Sequence, residues 1–153
     1  MAIFEPAEAD FAVRTRASFG RQQAMHLLGA VMTRVEAGRV EIELPHKPEL
    51  TQQHGFFHGG IVATIADSAG GYAAFTLFRP DASILTVEFK INLVAPADGE
   101  RLIAIGQVKK PGRTLTVCEF EVLAEKAGKR KPCAYGLQTL MCLRDRPDIA
   151  EAG

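Results

Sequence analysis

One carboxylate stands in an almost uncharged stretch of the sequence, between residues 59 and 78. Asp67 is the only ionisable group of this stretch apart from the Tyr72 phenol. Burying an unpaired carboxylate costs several kcal/mol or raises its pKa, so a carboxylate in such a place is a candidate for chemistry. A structural explanation is open beside this one, in which the neighbouring hydroxyls of Thr64 or Ser68 satisfy the charge.

Two adjacent glycines, Gly59 and Gly60, stand at the start of the same stretch. Because they have no side chains, a ligand can approach bare N–H groups at a helix start, where the helix dipole is positive. Donors of this kind stabilise an oxyanion. Glycine pairs are also common in ordinary loops without any function. The residues around this pair decide between an oxyanion site and an ordinary loop. They are the string Gln52-Gln53-His54-Gly55-Phe56-Phe57-His58 before the pair and Asp67, which follows the pair after six intervening residues.

This combination resembles the PaaI-like branch of the hotdog-fold thioesterases. The shared pattern is His-Gly-Gly, six residues and an acid, with a side-chain amide six positions before the histidine and a later strand of Thr-Val-Glu-Phe type. In this chain the pattern falls on His58-Gly59-Gly60, Asp67, Gln52 and Thr86-Val87-Glu88-Phe89. The resemblance covers roughly residues 28–143 and implies an α+β hotdog fold, an antiparallel sheet wrapped around one long central helix.

The resemblance also implies an activity, the hydrolysis of acyl-CoA-type thioesters to free acid and thiol. Asp67 then acts on the thioester carbonyl as nucleophile or general base, and the Gly59 N–H receives the carbonyl oxygen. Some branches have Glu at this acid position, so the choice between nucleophile and base stays open.

Other positions take supporting roles by the same resemblance. Gln52 helps to orient the reacting groups, the Thr86 hydroxyl positions water, and His58 contacts the thioester or holds its loop. Four more residues are candidates for substrate binding: Gly60, His54, Lys109 and Arg113. The last two lie in basic clusters that can pair with CoA phosphates, although solvated hairpin ends explain such clusters equally well.

The spacing of Gly59 and Asp67 leads to a prediction that needs no family. Eight residues of helix separate them by about 12 Å, at about 1.5 Å per residue. Reacting atoms must approach to about 3–3.5 Å, so one chain cannot easily place both residues against the same carbonyl carbon. We therefore expect a site shared between two subunits of a homodimer, and a dimer of dimers beyond it, with dimer versus tetramer left open.

A metal site is a weaker interpretation of the same loop. His54 and His58 are four residues apart, the spacing of a helical zinc pair, but glycines surround them and Asp67 is the only nearby third ligand. We expect neither a metal nor a cofactor.

The pattern of apolar residues gives the elements that must position these groups. Residues 7–27 are mainly helical and end at Gly29. Next come a hairpin at 30–35 and 39–44 and a buried helix at 59–78. A four-strand antiparallel meander follows, at 85–93, 101–110, 113–124 and 131–143. In the strand 85–93 the residues Thr86, Glu88, Lys90 and Asn92 share one polar face. The predicted organisation is an N-terminal helical extension (1–27), the hotdog thioesterase domain (28–143) and a C-terminal tail (144–153).

Composition excludes several other classes of protein. The 153 residues fit one domain, and 18 basic residues balance 18 acidic ones, so no net positive field is available for nucleic acid. The sequence has no signal-peptide pattern and no apolar run of about 18 residues, which predicts a cytoplasmic protein without a membrane partner. Cys118, Cys133 and Cys142 have no C-x-x-C spacing and are predicted to be reduced and structural.

Two alternatives to hydrolysis remain open at this point. An acyl-thioester hydratase or dehydratase on the same fold needs a histidine acting with the carboxylate. A catalytically silent acyl-CoA-binding protein needs no reactive group, since fold does not imply function. The acyl chain and the choice between CoA and a carrier protein are also open.

Overall fold

A six-stranded antiparallel sheet packs around one central helix. The structure, a computed structural model, describes residues 4–148. Its helices are α1 (Phe11–Gly20), α2 (Gln23–Leu28) and α3 (Gly59–Phe75), with a short 3-10 helix at Pro48–Leu50. Its strands are β1 (Val31–Glu36), β2 (Arg39–Pro45), β3 (Ser83–Leu93), β4 (Arg101–Lys110), β5 (Leu115–Lys126) and β6 (Lys129–Leu143). The predicted α+β arrangement, a sheet around one long helix, is confirmed.

The central helix α3 forms where the sequence predicts it and is buried because every strand from β2 to β6 packs on it. It begins at Gly59, directly after the extended residue His58, whose φ is −63° and ψ 138°. It ends at Phe75, and the chain then turns through residues 76–78 before Arg79-Pro80. The helix is thus three residues shorter than predicted, because its last turn tightens into i to i+3 hydrogen bonds.

The order of the strands, β1-β2-β4-β5-β6-β3, corrects the predicted meander. Strands β4, β5 and β6 do follow one another, but β3 pairs with β6 and lies at the edge of the sheet. β4 has no free side for β3, because β2 and β5 occupy both of its edges. Three strand spacings of about 4.8 Å separate β3 from β4, and the connection 94–100 is long enough to cross them at about 3.3 Å per residue.

A bulge in β3 corrects the predicted alternation of that strand. Thr86 pairs with Leu140 and Glu88 with Thr139, so Val87 is an extra residue. The side chain of Thr86 therefore faces α3, whereas Glu88 bonds to Thr139 on the outer face of the sheet. Thr86 does not share a face with Glu88, Lys90 and Asn92 as predicted.

The N-terminal segment is helical as predicted, in two pieces, and packs on α3. Arg14 donates hydrogen bonds to the carbonyls of Phe75 and Phe78, at 3.3 and 2.6 Å, and its guanidinium lies 4.3 Å from the centroid of the Phe75 ring. α2 ends at Gly29, whose φ of 79° is the left-handed conformation that glycine adopts without strain. The predicted tail is described only to Asp148, which pairs with Arg21, and its remaining residues lie outside the described range.

The cysteines are free thiols, as predicted. Burial raises the pKa of Cys118 to about 12 and that of Cys133 to about 11, which keeps both thiols protonated and unreactive near neutral pH. No helix within residues 4–148 is long and apolar enough to cross a membrane.

Candidate active site

The carboxylate of Asp67 is held from two strands that lie far away in sequence. Thr86 of β3 donates from its hydroxyl to Asp67 Oδ1 at 2.7 Å. Gln138 of β6 donates from Nε2 to the same oxygen and to the Asp67 carbonyl, both at 3.2 Å. Both donors therefore fix Oδ1, and Oδ2 accepts no hydrogen bond from any residue in the described range.

The surroundings of Asp67 rule out the local structural explanation. The Thr64 hydroxyl donates to the Gly60 carbonyl at 2.8 Å, and the Ser68 hydroxyl donates to Gln22 Oε1 at 3.3 Å. Neither contacts the carboxylate. Asp67 is half-buried and not enclosed, so one side of the group stays open to a ligand.

Gln138 is the member of this site that the sequence did not reveal. It is fully buried, and its Oε1 has no hydrogen-bond partner. It lies so close to α3 that a Cβ on Gly70 would be 2.1 Å from this oxygen, which explains the glycine at that position. The only feature of the sequence that could have indicated Gln138 was a side-chain amide in an otherwise apolar strand. Alternation could not show which way it faced, because Tyr135 and Leu137 make the other face of β6 apolar too.

Gly59 presents an unused donor at the start of α3. It is the first residue of the helix, and its N–H has no acceptor within residues 4–148. The Leu93 side chain covers its other side so closely that a Cβ would lie 2.8 Å from Leu93 Cδ1. The N–H of Gly60 is not equivalent, because it donates to Nδ1 of His58 at 2.9 Å. His58 thus caps the helix, and within one chain it holds its loop.

The loop before α3 is stabilised by its own hydrogen bonds. The side chain of Gln52 accepts from the His54 N–H, and the Gln52 carbonyl accepts from Gly55 N–H at 3.0 Å. The loop is tied to the connection between β3 and β4, where Phe57 N–H donates to the Ala97 carbonyl at 3.0 Å. Within one chain, neither Gln52 nor His54 borders the cavity next to Asp67.

The two basic candidates also lie away from Asp67 within one chain. Lys109 pairs with Glu119 at 3.2 Å and lines a groove on the outer face of the sheet. Arg113 borders a separate small pocket at the β4–β5 turn, where its carbonyl accepts from Arg144. Among residues 4–148 no three His, Cys, Asp or Glu side chains are arranged to hold a metal ion.

The fold and the site together define a thioester hydrolase of the hotdog type. The chain belongs to the thioesterase superfamily, whose family model matches residues 54–131. A solved thioesterase family protein from Silicibacter pomeroyi is 48% identical, covers 88% of this chain and 98% of its own, and superposes with a TM-score of 0.86. The E. coli PaaI protein shares the fold at 18% identity, with a TM-score of 0.78 over 86% of this chain and 92% of its own.

A curated relative leads to the same class. The proofreading thioesterase EntH of Klebsiella pneumoniae is 26% identical over 113 residues, which are 74% of this chain and 82% of the relative. The predicted enzyme class, a thioester hydrolase, is therefore confirmed.

Proposed function

We propose that the protein hydrolyses acyl-CoA-type thioesters with Asp67 as the reactive carboxylate. The observation that supports this most is the fixing of Oδ1 by Thr86 and Gln138, which leaves Oδ2 directed to a ligand. Acyl-CoA as substrate is favoured by two relatives, a 1,4-dihydroxy-2-naphthoyl-CoA hydrolase of Listeria monocytogenes and an acyl-coenzyme A thioesterase of Pongo abelii, 24% and 30% identical.

Two routes lead from this geometry to the same products. In the first, Oδ2 attacks the carbonyl carbon, the C–S bond breaks with release of the thiolate, and water then hydrolyses the acyl-aspartyl anhydride. In the second, Asp67 takes a proton from water, whose oxygen attacks the same carbon. The C–S bond then breaks, and the departing thiolate takes up the proton. Either route passes through an oxyanion, which a free backbone N–H such as that of Gly59 stabilises.

The oxyanion donor comes from a second copy of the chain in this proposal. Gly59 and Asp67 lie on one unbroken helix, so about 12 Å separates them along its axis. The edge strand β3 favours a second copy as partner, because Leu85, Val87, Phe89 and Leu93 are between 42% and 58% exposed on it. An edge strand with unpaired backbone groups and apolar side chains is a surface that another strand covers.

The contacts of β3 suggest how the two copies meet. Thr86 contacts Asp67, and Leu93 covers Gly59. Because Val87 is a bulge, antiparallel pairing of two β3 strands about a two-fold axis at Lys90 places Thr86 of one copy opposite Leu93 of the other, with both side chains on the face towards α3. The Asp67 of each subunit then lies next to the Gly59 of its partner, which gives two sites in each dimer.

Roles for the remaining candidates follow from the same arrangement. The loop before α3 reaches the partner's Asp67, so Gln52 and His58 can orient the reacting groups there, with His54 and Gly60 beside them. Contact of CoA phosphates with Lys109 and Arg113 stays a prediction, as do the dimer of dimers and the cytoplasmic location.

The hydratase alternative is disfavoured by the side chains around Asp67. That chemistry needs a histidine acting with the carboxylate, and the groups bonded to Asp67 are a hydroxyl and an amide. His58 uses its Nδ1 to cap α3.

Release of free thiol from a panel of acyl-CoA thioesters tests the proposal. We expect turnover by the wild-type protein and a loss of at least about a hundredfold in Asp67→Asn, because a positioned base contributes roughly 10²–10⁴-fold. An unchanged melting temperature in the variant controls for folding. Tight acyl-CoA binding by the wild type without thiol release would establish the silent alternative, and an active Asp67→Asn would remove Asp67 from the mechanism.

A further inference from the structure

A cavity of about 380 Å³ lies between Asp67 and the N-terminal helices. Asp67 and Thr86 border it, and the turn between α1 and α2 supplies much of its wall. The wall residues from the end of α1, from this turn and from α3 are Ser18, Arg21, Gln22, Ser68, Gly71 and Tyr72. The volume is typical of a small-molecule site. Because the family model begins at residue 54, the N-terminal wall belongs to the part of the chain outside the matched region.

A missing side chain keeps the cavity open next to the carboxylate. Gly71 follows Asp67 by four residues and therefore shares its face of α3. A Cβ at Gly71 would have only Leu140 Cδ1 within 4 Å, at 3.9 Å. At Gly70 a close contact leaves no room for a side chain, whereas at Gly71 there is room for one. The glycine at position 71 therefore leaves an empty space, and this space adjoins the carboxylate of Asp67.

One wall of the cavity is lined by hydroxyl and amide groups. Ser18 Oγ and Tyr72 OH are 3.2 Å apart, and both residues are only 6% exposed. The Tyr72 ring is held by an edge contact with Phe19, whose centroid is 5.8 Å away. Burial raises the pKa of Tyr72, so its phenol stays neutral and keeps its hydrogen. These are fixed hydrogen-bonding groups in a buried wall.

These groups have hydrogen-bonding capacity that the described residues do not use. Each hydroxyl has one hydrogen, and the Ser18–Tyr72 bond uses one of two, so one O–H remains free to donate. Gln22 accepts from Ser68 at its Oε1, and its NH₂ has no acceptor within residues 4–148. A ligand in the cavity therefore meets up to three donors and several lone pairs.

The charges around the cavity exclude an anionic ligand group. Asp67 opens into it, while Arg21, the one cation that residues 4–148 contribute to the wall, pairs with Asp148 at the rim. A second carboxylate in this space would meet the like charge of Asp67 without a free cation to compensate it. A neutral group that both donates and accepts, such as a hydroxyl, fits the wall better.

We propose that this cavity binds the acyl group of the substrate, and that Ser18, Gln22 and Tyr72 select acyl groups with a neutral hydroxyl substituent over plain hydrocarbon ones. The inference rests on the proposed function, because it takes Asp67 as the point of attack on the thioester. Tyr72 lies five residues beyond Asp67, about 7.5 Å along the helix axis, which suits a hydroxyl across a ring or at the end of a short chain.

Matched pairs of substrates test this selection in the full-length enzyme. The pairs are para-hydroxybenzoyl-CoA with benzoyl-CoA, and ω-hydroxyhexanoyl-CoA with hexanoyl-CoA. We expect kcat/KM to favour the hydroxylated member of at least one pair about tenfold, the effect of one net hydrogen bond. Tyr72→Phe and Ser18→Ala should bring this ratio close to one. Tyr135→Phe is the matched control, because it removes the same atom on the outer face of β6 and should keep the ratio.

Binding measurements separate a failure of this inference from a failure of the proposed function. Thioether analogues of the same pairs cannot be hydrolysed, so calorimetry with the wild type and the variants reports selection without catalysis. Preference for the hydroxylated analogue that disappears in Tyr72→Phe supports the cavity assignment even if no thiol is released in any assay. Thiol release with a ratio near one in both pairs, or a ratio that survives in both variants, overturns the selection and leaves the hydrolase intact.

Discussion

Asp67 shows how a charged group in an apolar helix can be both tolerated and oriented. Hydrogen bonds to a charged group contribute about 1.5–3 kcal/mol each, so two donors offset much of the several kcal/mol that desolvation costs. Both donors, from Thr86 and Gln138, bond to the same oxygen. The groups that stabilise the carboxylate therefore also determine which oxygen can react.

Substitution of Gln138 tests this coupling. Gln138→Met keeps an unbranched side chain of similar size and removes the donor to Asp67, as well as the buried Oε1 that has no partner. We expect kcat to fall about tenfold, the effect of about 1.4 kcal/mol of lost orientation in the transition state, with KM nearly unchanged. Steady-state kinetics and the melting temperature check this. Loss of stability that fully accounts for the lost activity would indicate a purely structural role for Gln138.

The oxyanion donor can be removed with little change to the backbone. Gly59 is the first residue of α3, a position that proline favours, and His58 already has the extended conformation that precedes a proline. Gly59→Pro therefore deletes the N–H without a change in backbone conformation, and we expect kcat to fall about 10²–10³-fold. Gly59→Ala adds the same Cβ against Leu93 and keeps the N–H, so it is the matched control. Equal losses in the two variants would point to sterics and not to a lost donor.

At the scale of the elements, the helices and hairpins could be predicted because local signals specify them. The glycine at the end of α2, the apolar stretch of α3 and the turn at Ala127-Gly128, with φ of 50° and 73°, are all local. The position of β3 was not predictable in this way. Its partners in β6 lie some forty to sixty residues away in sequence, and the connection 94–100 fits either a meander or a crossing.

The same limit explains which parts of the site the sequence reveals. Asp67 and Gly59 lie in one short motif, so their types and spacing could be read together. The contact of Thr86 with Asp67 depends on the bulge at Val87, which strict alternation does not reveal. Gln138 reaches Asp67 only because β6 crosses under α3, and the strand has apolar residues on both faces. Motifs reveal groups on one element, whereas contacts between elements require the fold.

The exposed edge strand leads to a prediction about assembly. Phe89 is 42% exposed and lies next to the proposed two-fold axis of β3 pairing. We expect Phe89→Lys to place two like charges close together at that axis and to convert the proposed dimer to a monomer, with loss of thioesterase activity. Size-exclusion chromatography with light scattering measures the change. Val13→Lys is the matched control, because Val13 is an exposed apolar residue on α1; a Phe89→Lys monomer with full activity would contradict the shared site.

For the whole molecule, the central prediction is that neither subunit of the dimer has a complete site. A Gly59→Pro chain keeps its Asp67, and an Asp67→Asn chain keeps its Gly59, so a mixed dimer has one intact site made from the two unmutated residues. Random pairing makes half of the dimers mixed, and each has one intact site of two. We therefore expect the mixture to regain about a quarter of the wild-type activity.

Subunit exchange has to be established for this complementation to be decisive. Chains with different affinity tags, mixed in mild denaturant and refolded together, allow the mixed dimers to be purified and assayed directly. In these the expected activity rises to about half of the wild type, because every dimer has one intact site. A mixture of Gly59→Pro with a chain that has both substitutions should stay inactive, since neither of its sites then pairs an intact Gly59 with an intact Asp67. Purified mixed dimers without activity would show that each site needs Gly59 and Asp67 from the same chain, which would contradict the shared site.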